Sequence, residues 1–142
     1  KREQQNVALL WIDLDGFKAV NDCLGHAAGD ELLQQAAVRV RNRLRESDTV
    51  ARMGSDEFAV LLLAITDPAA ALRVAEALIA RLTEPFMLTA GIGQISASIG
   101  VALYPLHTDA PEVLIQAAET AMVAAKQAGK HQAVVWELQL LK

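Results

Sequence analysis

Apolar residues run unbroken from Val7 to Ile12 and give way to Asp13 and Asp15, the pattern of a buried strand whose end opens into a polar site. Gly16 to Leu24 predicts a short helix, stopped by Gly25, where a positive φ costs little. With Asp30 as its start, Glu31 to Leu44 carries apolar residues at helical spacing (Leu32, Leu33, Ala36, Ala37, Val40, Leu44), while Arg39, Arg41 and Arg43 take the wet side. Thr49–Met53 and Phe58–Leu63 are β-rich runs joined by Gly54-Ser55-Asp56-Glu57, a length and composition that suit a hairpin. Asp67 and Pro68 supply a cap and first turn for a helix over Ala69–Leu82, with Pro85 just past its end. Gly91 and Gly93 mark a turn before a strand over Gln94–Leu103, whose Ile95, Ala97, Ile99 and Val101 share one face. Pro111 to Ala128 predicts a second long helix closed by Gly129, and Ala133–Trp136 a last strand at the sheet edge. The order β-α-α-β-β-α-β-α-β gives an α+β fold, a mostly antiparallel central sheet flanked by helices.

A chain of 142 residues is the size of one domain, so residues 1–142 are expected to form a single core. The longest apolar run, Phe58 to Ile65, is far short of the roughly 20 residues of a membrane-spanning helix, so no membrane contact is expected. A net charge of −4 argues against a surface that tracks the phosphates of DNA or RNA. Cys23 is the only cysteine, which excludes an internal disulfide and suits a cytoplasmic location. The sequence opens on Lys1-Arg2-Glu3-Gln4-Gln5, with no methionine or signal segment, as a piece of a larger multidomain protein would.

Asp13 and Asp15 stand two apart, so a strand continuing through them turns both carboxylates to one face. Asp56 and Glu57 on the hairpin add two more acids, and such a cluster is costly to bury without a cation. Mg²⁺ fits, because it takes one or two carboxylates and completes its shell with phosphate oxygens and water. Taken singly, each acid is better read as capping a helix or lying solvated in a turn. His26, His107 and His131 lack partners at ligand spacing and are read as structural.

Three blocks occur in order: Asp13-Leu14-Asp15-Gly16-Phe17-Lys18-Ala19-Val20-Asn21-Asp22, Gly25-His26-Ala27-Ala28-Gly29-Asp30, and Gly54-Ser55-Asp56-Glu57-Phe58. Together they resemble the signature of GGDEF domains, the diguanylate cyclase family, and Ala121 to His131 resembles the family's late motif. The likeness covers nearly the whole chain and implies a fold related to the catalytic core of nucleotide cyclases and the polymerase palm. It also implies that GTP is condensed to cyclic di-GMP by a homodimer carrying two Mg²⁺ or Mn²⁺ per active site.

Carried over residue by residue, the resemblance assigns Asp13, the carbonyl of Leu14, Asp56 and Glu57 to metal, with Asp56 and Glu57 catalytic. Asn21, Asp30 and Leu33 would bind guanine. A carboxylate at Asp30 suits guanine, because it accepts from N1–H and the exocyclic amine, which adenine cannot match. Leu33 fits an ordinary core leucine equally well. Gly16, Phe17, Lys18, Gly54, Ser55, Lys126 and Lys130 would meet phosphate, Lys126 foremost. Arg45 and Asp48 precede the hairpin at the spacing of the family's inhibitory cyclic di-GMP site, although the pair also suits a plain helix end and turn. Arg73 or Arg81 is a candidate second arginine there.

Three positions depart from the family pattern: Ser55 stands where a second glycine is usual, Val123 where an aromatic is common, and His131 where asparagine is common. If the hairpin demanded positive φ at Ser55, serine would cost about 1–2 kcal/mol. The segment that members usually carry ahead of the first strand is absent. Two readings follow: a cyclase linked to sensor or effector domains, or a degenerate module that binds GTP or cyclic di-GMP without turnover.

Overall fold

The computed structural model describes residues 6–137. The five residues Lys1 to Gln5 on which the reading of the amino end rested therefore lie outside the described part. The first strand, β1 (Val7–Asp15), runs through both aspartates. It lies at the centre of a five-stranded sheet with β2 (Thr49–Arg52), β3 (Glu57–Leu63), β6 (Ser96–Tyr104) and β7 (Gln132–Val135), in the order β2-β3-β1-β6-β7. The β1 strand pairs antiparallel with β3 and β6, whereas β7 runs parallel to β6, so the sheet is mixed with one parallel edge.

Both faces of β1 are covered, which is why its sequence is continuously apolar rather than alternating. Ala8, Leu10, Ile12 and Leu14 join the main core with Leu32, Leu33, Ala36 and Val40 of α2 (His26–Asn42) and Ala71, Ala75, Leu78 and Leu82 of α3 (Pro68–Thr83). Leu9 and Trp11 point the other way, into a smaller core with Leu114, Ala117, Ala118 and Met122 of α4 (Pro111–Gln127). The short α1 (Phe17–Leu24) adds Phe17 and Val20 to the main core.

Two local features differ from expectation. The α2 helix begins at His26, not Asp30: Gly25 adopts φ 97° and sends its N–H to the Asn21 carbonyl at 2.9 Å, so α1 passes almost directly into α2 and Asp30 lies inside the helix. The stretch after Pro85 forms a small separate hairpin, β4 (Phe86–Leu88) and β5 (Gly91–Gly93). It is fixed from outside its own sequence, which is why local pattern did not foretell it. Phe86 is fully buried under the Arg39 guanidinium, 3.6 Å from the ring centre, and Arg39 also caps the end of α3 through the carbonyls of Arg81, Glu84 and Pro85.

Gly100 sets how closely α4 lies on the sheet. A Cβ there would stand 2.0 Å from the Ala118 carbonyl oxygen and 2.2 Å from the Met122 nitrogen, so only glycine lets the helix backbone rest on β6. Ala117, Ala118, Ala121 and Ala125 make the matching small face of the helix. The close seat brings the last turn of α4, with Lys126, over the end of β1. Among the described residues no helix is long and apolar enough to cross a membrane.

Candidate functional site

Asp13 and Asp15 emerge on the α4 side of the sheet, as their spacing predicts, and the Lys126 ammonium sits between them, 3.1 Å from Asp13 Oδ1 and 2.7 Å from Asp15 Oδ1. Glu57 is the cross-strand neighbour of Asp13, and the Leu14 N–H donates to the Asp56 carbonyl at 3.0 Å, tying the hairpin to the strand tip. Burial raises the Asp13 pKa, with the negative charges of Asp56 and Glu57 adding to it, and this outweighs the opposing pull of Lys126. For Asp15 burial acts in the same direction but is overcome by hydrogen bonds from Lys126, Ser98 and His131, so its pKa lies below the ordinary value.

The acid cluster is looser than the sequence suggests. Among the described residues no three acidic, histidine or cysteine side chains are gathered tightly enough to hold a metal by themselves. Two contacts explain this: Lys126 occupies the space between the aspartates, and Glu57 turns to accept the Trp11 indole N–H at 3.0 Å. What remains is still the right donor chemistry for Mg²⁺, an ion satisfied by one or two carboxylates when phosphate oxygens and water complete its shell.

The loop between β2 and β3 answers the question of Ser55. Among the described residues, the only non-glycine residues at positive φ are Ala64, Lys130 and His131, so serine sits at position 55 without left-handed strain. Its hydroxyl lies 3.5 Å from Asp56 Oδ1, at the limit of a hydrogen bond. Gly54 and Ser55 are exposed, as is Lys18, whose ammonium pairs with Asp22 at 3.2 Å on the open surface, a contact worth little. Gly16 is left-handed (φ 91°) at the start of α1, leaving the first backbone N–H groups of that helix uncapped by any side chain. The Phe17 side chain is buried, so only its backbone can face a phosphate.

Asn21, in the second half of α1, and Asp30, in α2, flank the junction of the two helices. Neither side chain has a hydrogen-bond partner among the described residues, and Asp30 is exposed. Gly29 makes room for Asn21: a Cβ at position 29 would lie 1.8 Å from Asn21 Oδ1. Leu33, by contrast, is 3% exposed within the main core, where it acts as a packing residue.

The chain matches the family described as "Diguanylate cyclase, GGDEF domain" over residues 1–132. It belongs to the GGDEF family. It is 50% identical over 125 residues to the diguanylate cyclase TpbB of Pseudomonas aeruginosa, covering 87% of this chain and 29% of that protein. It is 45% identical over 130 residues to the bifunctional diguanylate cyclase/cyclic di-GMP phosphodiesterase MucR of the same species, covering 92% of this chain and 19% of that protein. A solved structure of the isolated GGDEF domain of TpbB superposes with a TM-score of 0.92 at 46% identity, over 96% of this chain and 80% of that one. The chain thus spans less than a third of the length of these curated relatives.

Within this GGDEF domain the pair ahead of the hairpin is closed on itself. Asp48 is 4% exposed, and its carboxylate accepts from the Arg45 backbone N–H at 2.9 Å, Arg45 Nε at 3.2 Å, Arg45 Nη2 at 3.1 Å and the Leu63 N–H at 3.1 Å. Arg45 Nη2 also donates to the Leu63 carbonyl, and these bonds, led by those from Arg45, outweigh burial and lower the Asp48 pKa. Whatever else the pair does, it fastens the turn after α2 to the end of β3.

The residues that sequence reasoning left without a role are those that hold the charged ones. Ser98 is buried and donates to Asp15 at 2.8 Å, and the His131 N–H donates to the same oxygen at 3.2 Å. His131 reaches that position through a turn in which Gly129, Lys130 and His131 have φ values of 123°, 64° and 55°. Its ring nitrogen meets the Ser96 hydroxyl. A signal for both serines was present: Ser96 and Ser98 alternate with Ile95, Ala97 and Ile99 and so face the aspartates across the β1–β6 ladder. Lys130 is exposed and lies apart from the Lys126 contacts.

Proposed function

We propose that this domain condenses two GTP molecules into cyclic di-GMP, releasing two pyrophosphates, as one unit of a larger signalling protein. The β1–β3 register sets Asp13 beside Glu57, and the backbone bond from Leu14 ties in Asp56, so acids from two separate segments meet at one strand tip, and this observation carries the reading. Burial, with a smaller push from Asp56 and Glu57, raises the Asp13 pKa. An acid held in that state favours the arrival of positive charge. Asp13, the Leu14 carbonyl, Asp56 and Glu57 would hold two Mg²⁺ or Mn²⁺ ions. When bound, these neutralise the triphosphate and the leaving pyrophosphate and acidify the attacking hydroxyl.

The chain's own groups do the rest. Asp30 accepts from guanine N1–H and the exocyclic amine, and Asn21 takes another edge atom of the base. The N–H groups opening α1, the exposed Gly54-Ser55 loop and Lys126, with Lys18 and Lys130 nearer solvent, receive the phosphates. One domain aligns one nucleotide, so two domains must face each other for the 3′-oxygen of each GTP to attack the α-phosphorus of the other. Each attack forms one phosphodiester, expels one pyrophosphate and releases the hydroxyl proton to solvent. Arg45 serves product inhibition by exchanging its contacts with Asp48 and the Leu63 carbonyl for guanine O6 and N7, with Arg73 or Arg81 as the second arginine.

The test is incubation with GTP and Mg²⁺, following pyrophosphate and cyclic di-GMP together. The parent and Ser55→Gly are expected to form both, and Asp56→Ala neither. A parent that binds GTP yet forms no product, with Ser55→Gly equally silent, would overturn catalysis in favour of a binding module.

A further inference from the structure

Asp15 lies at the crossing of four elements and is absent from the metal, guanine and phosphate sets assigned above. Its two oxygens are divided between two tasks. Oδ2 is fixed by the protein, accepting from Ser98 Oγ of β6 at 2.8 Å and from the His131 N–H of the turn after α4 at 3.2 Å. Oδ1 is thereby aimed at Lys126, whose ammonium it accepts at 2.7 Å, closer than the 3.1 Å to Asp13. The carboxylate is 8% exposed and Asp13 15% exposed. Asp15 is therefore the better-anchored of the two partners of this lysine.

We infer that Asp15 is the positioning residue for Lys126. It keeps the ammonium at the tip of β1, where the phosphates are proposed to lie, when Asp13 turns to a cation. The inference rests on the functional reading above and adds a residue to it. A lysine side chain has four rotatable bonds and swings freely unless something holds it. If Asp13 were its only partner, drawing Asp13 toward a cation would release Lys126 into solvent just as the phosphates arrived. Anchored to a second carboxylate with its own supports, the ammonium keeps its place and has N–H donors left for phosphate oxygens. The turn at Lys130 and His131 serves the same end. Two successive non-glycine residues at positive φ are costly, and their conformation delivers the His131 N–H to Asp15.

Calorimetry with 3′-deoxy-GTP and Mg²⁺, a nucleotide that binds but lacks the attacking hydroxyl, tests the inference without relying on turnover, and guanosine serves as the phosphate-free control. Asp15→Asn is expected to weaken 3′-deoxy-GTP roughly tenfold or more and to leave guanosine unchanged, since the loss falls on a charge-assisted contact to phosphate. Lys126→Met should lose a similar factor, and the double variant should be no weaker than Lys126→Met alone, because Asp15 acts through the lysine. Ser98→Ala, which keeps the charge and removes one support, should lose less than Asp15→Asn.

Full additivity of Asp15→Asn and Lys126→Met, or equal weakening of guanosine, would overturn the inference by making Asp15 a general structural residue. So would an Asp15→Asn variant that binds 3′-deoxy-GTP like the parent. If Asp15→Asn fails to fold, Ser98→Ala decides: coupling to Lys126→Met supports the inference and additivity sinks it. A parent that does not bind 3′-deoxy-GTP removes the functional reading itself, a result distinct from all of these.

Discussion

The two ends of the proposed site are built on different principles. At the tip of β1 four charged groups already have partners inside the protein: Asp13 and Asp15 share Lys126, Asp15 is backed by Ser98 and His131, and Glu57 accepts from Trp11. At the α1–α2 junction Asn21 and Asp30 have none among the described residues. Burial explains the contrast. A carboxylate 8% exposed must be compensated within the fold, whereas the exposed Asp30 carboxylate is satisfied by water until a ligand displaces it, and the half-buried Asn21 amide stands in the room that Gly29 leaves. One end is therefore held ready by a network whose members depend on each other, and the other by the shape of the backbone around two free side chains. Substitutions at the first should spread to neighbours, and substitutions at the second should stay local.

The largest effect is expected at the networked end. Asp13→Asn removes the carboxylate that Asp56 and Glu57 already crowd, and with it the strongest local demand for a cation. Turnover of GTP should fall by about 10²–10³-fold, the scale of losing one preorganised electrostatic partner of a transition state. Guanosine binding, measured by calorimetry, should hardly change. A comparable loss of guanosine affinity would mean that the two ends are not separate.

Gly29→Ala probes the shaped end and is expected to come next in size. Gly29 is buried inside α2, where glycine costs up to about 1 kcal/mol relative to alanine, yet a Cβ there would stand 1.8 Å from Asn21 Oδ1. Asn21 must then leave its position over the helix. The expected outcome is a roughly 10- to 50-fold loss of affinity for guanosine and for GTP alike, the cost of one or two polar contacts to the base. Thermal stability should be nearly unchanged, since the gain in helix propensity offsets part of the local crowding. Selective loss of GTP, with guanosine intact, would place Asn21 on the phosphates and undo the assignment of this end.

How much of this was legible beforehand follows the same division. The order of the main elements, the three long helices and the shared face of Asp13 and Asp15 came from apolar periodicity, because those segments are long and their pattern is unambiguous. The β4–β5 hairpin was not, because Phe86 is held by Arg39 from a distant helix rather than by its own flanks. The start of α2 was placed four residues late, since Gly25 opens it by backbone geometry with no capping side chain to announce it. Among site residues, Asn21 and Asp30 were assigned to guanine by family resemblance, and the structure places the two residues in the adjoining helices α1 and α2. Leu33 belongs to packing, a reading that sequence held open. The seat of Lys126 depends on the clearance at Gly100, a three-dimensional fact with no local signature.

Asp48 tests the comparison away from the proposed nucleotide site, because it too is a buried acid fully engaged with the protein. Its folded pKa lies below the ordinary 3.8, through Arg45 and the Leu63 N–H. A depressed folded value means that the ionised group stabilises the fold fully above about pH 4–5 and loses that contribution as pH falls through the folded pKa. The thermal stability of the parent should therefore fall below about pH 4. Asp48→Asn should lose roughly 1–2 kcal/mol at neutral pH, the cost of a charge-assisted buried contact, and show a flatter acid limb. An unchanged acid limb would mean that other carboxylates carry that dependence.

The smallest effect is expected at Ser55. A glycine usually stands there in the family, so a sequence argument makes serine the chief threat to activity, yet the chain places Ser55 outside the left-handed region and on the surface. Ser55→Gly then relieves no strain. It gives the unfolded chain more freedom and should lower stability by about 0.4–1 kcal/mol, while turnover and GTP affinity stay within roughly twofold of the parent. The hydroxyl contact to Asp56 at 3.5 Å is too long to alter that balance. A gain in turnover of about tenfold or more would show that the loop passes through a left-handed conformation when the triphosphate arrives, one that serine resists. The hairpin would then belong with the α1–α2 junction, among the parts shaped on binding, and the fixed network would end at β1.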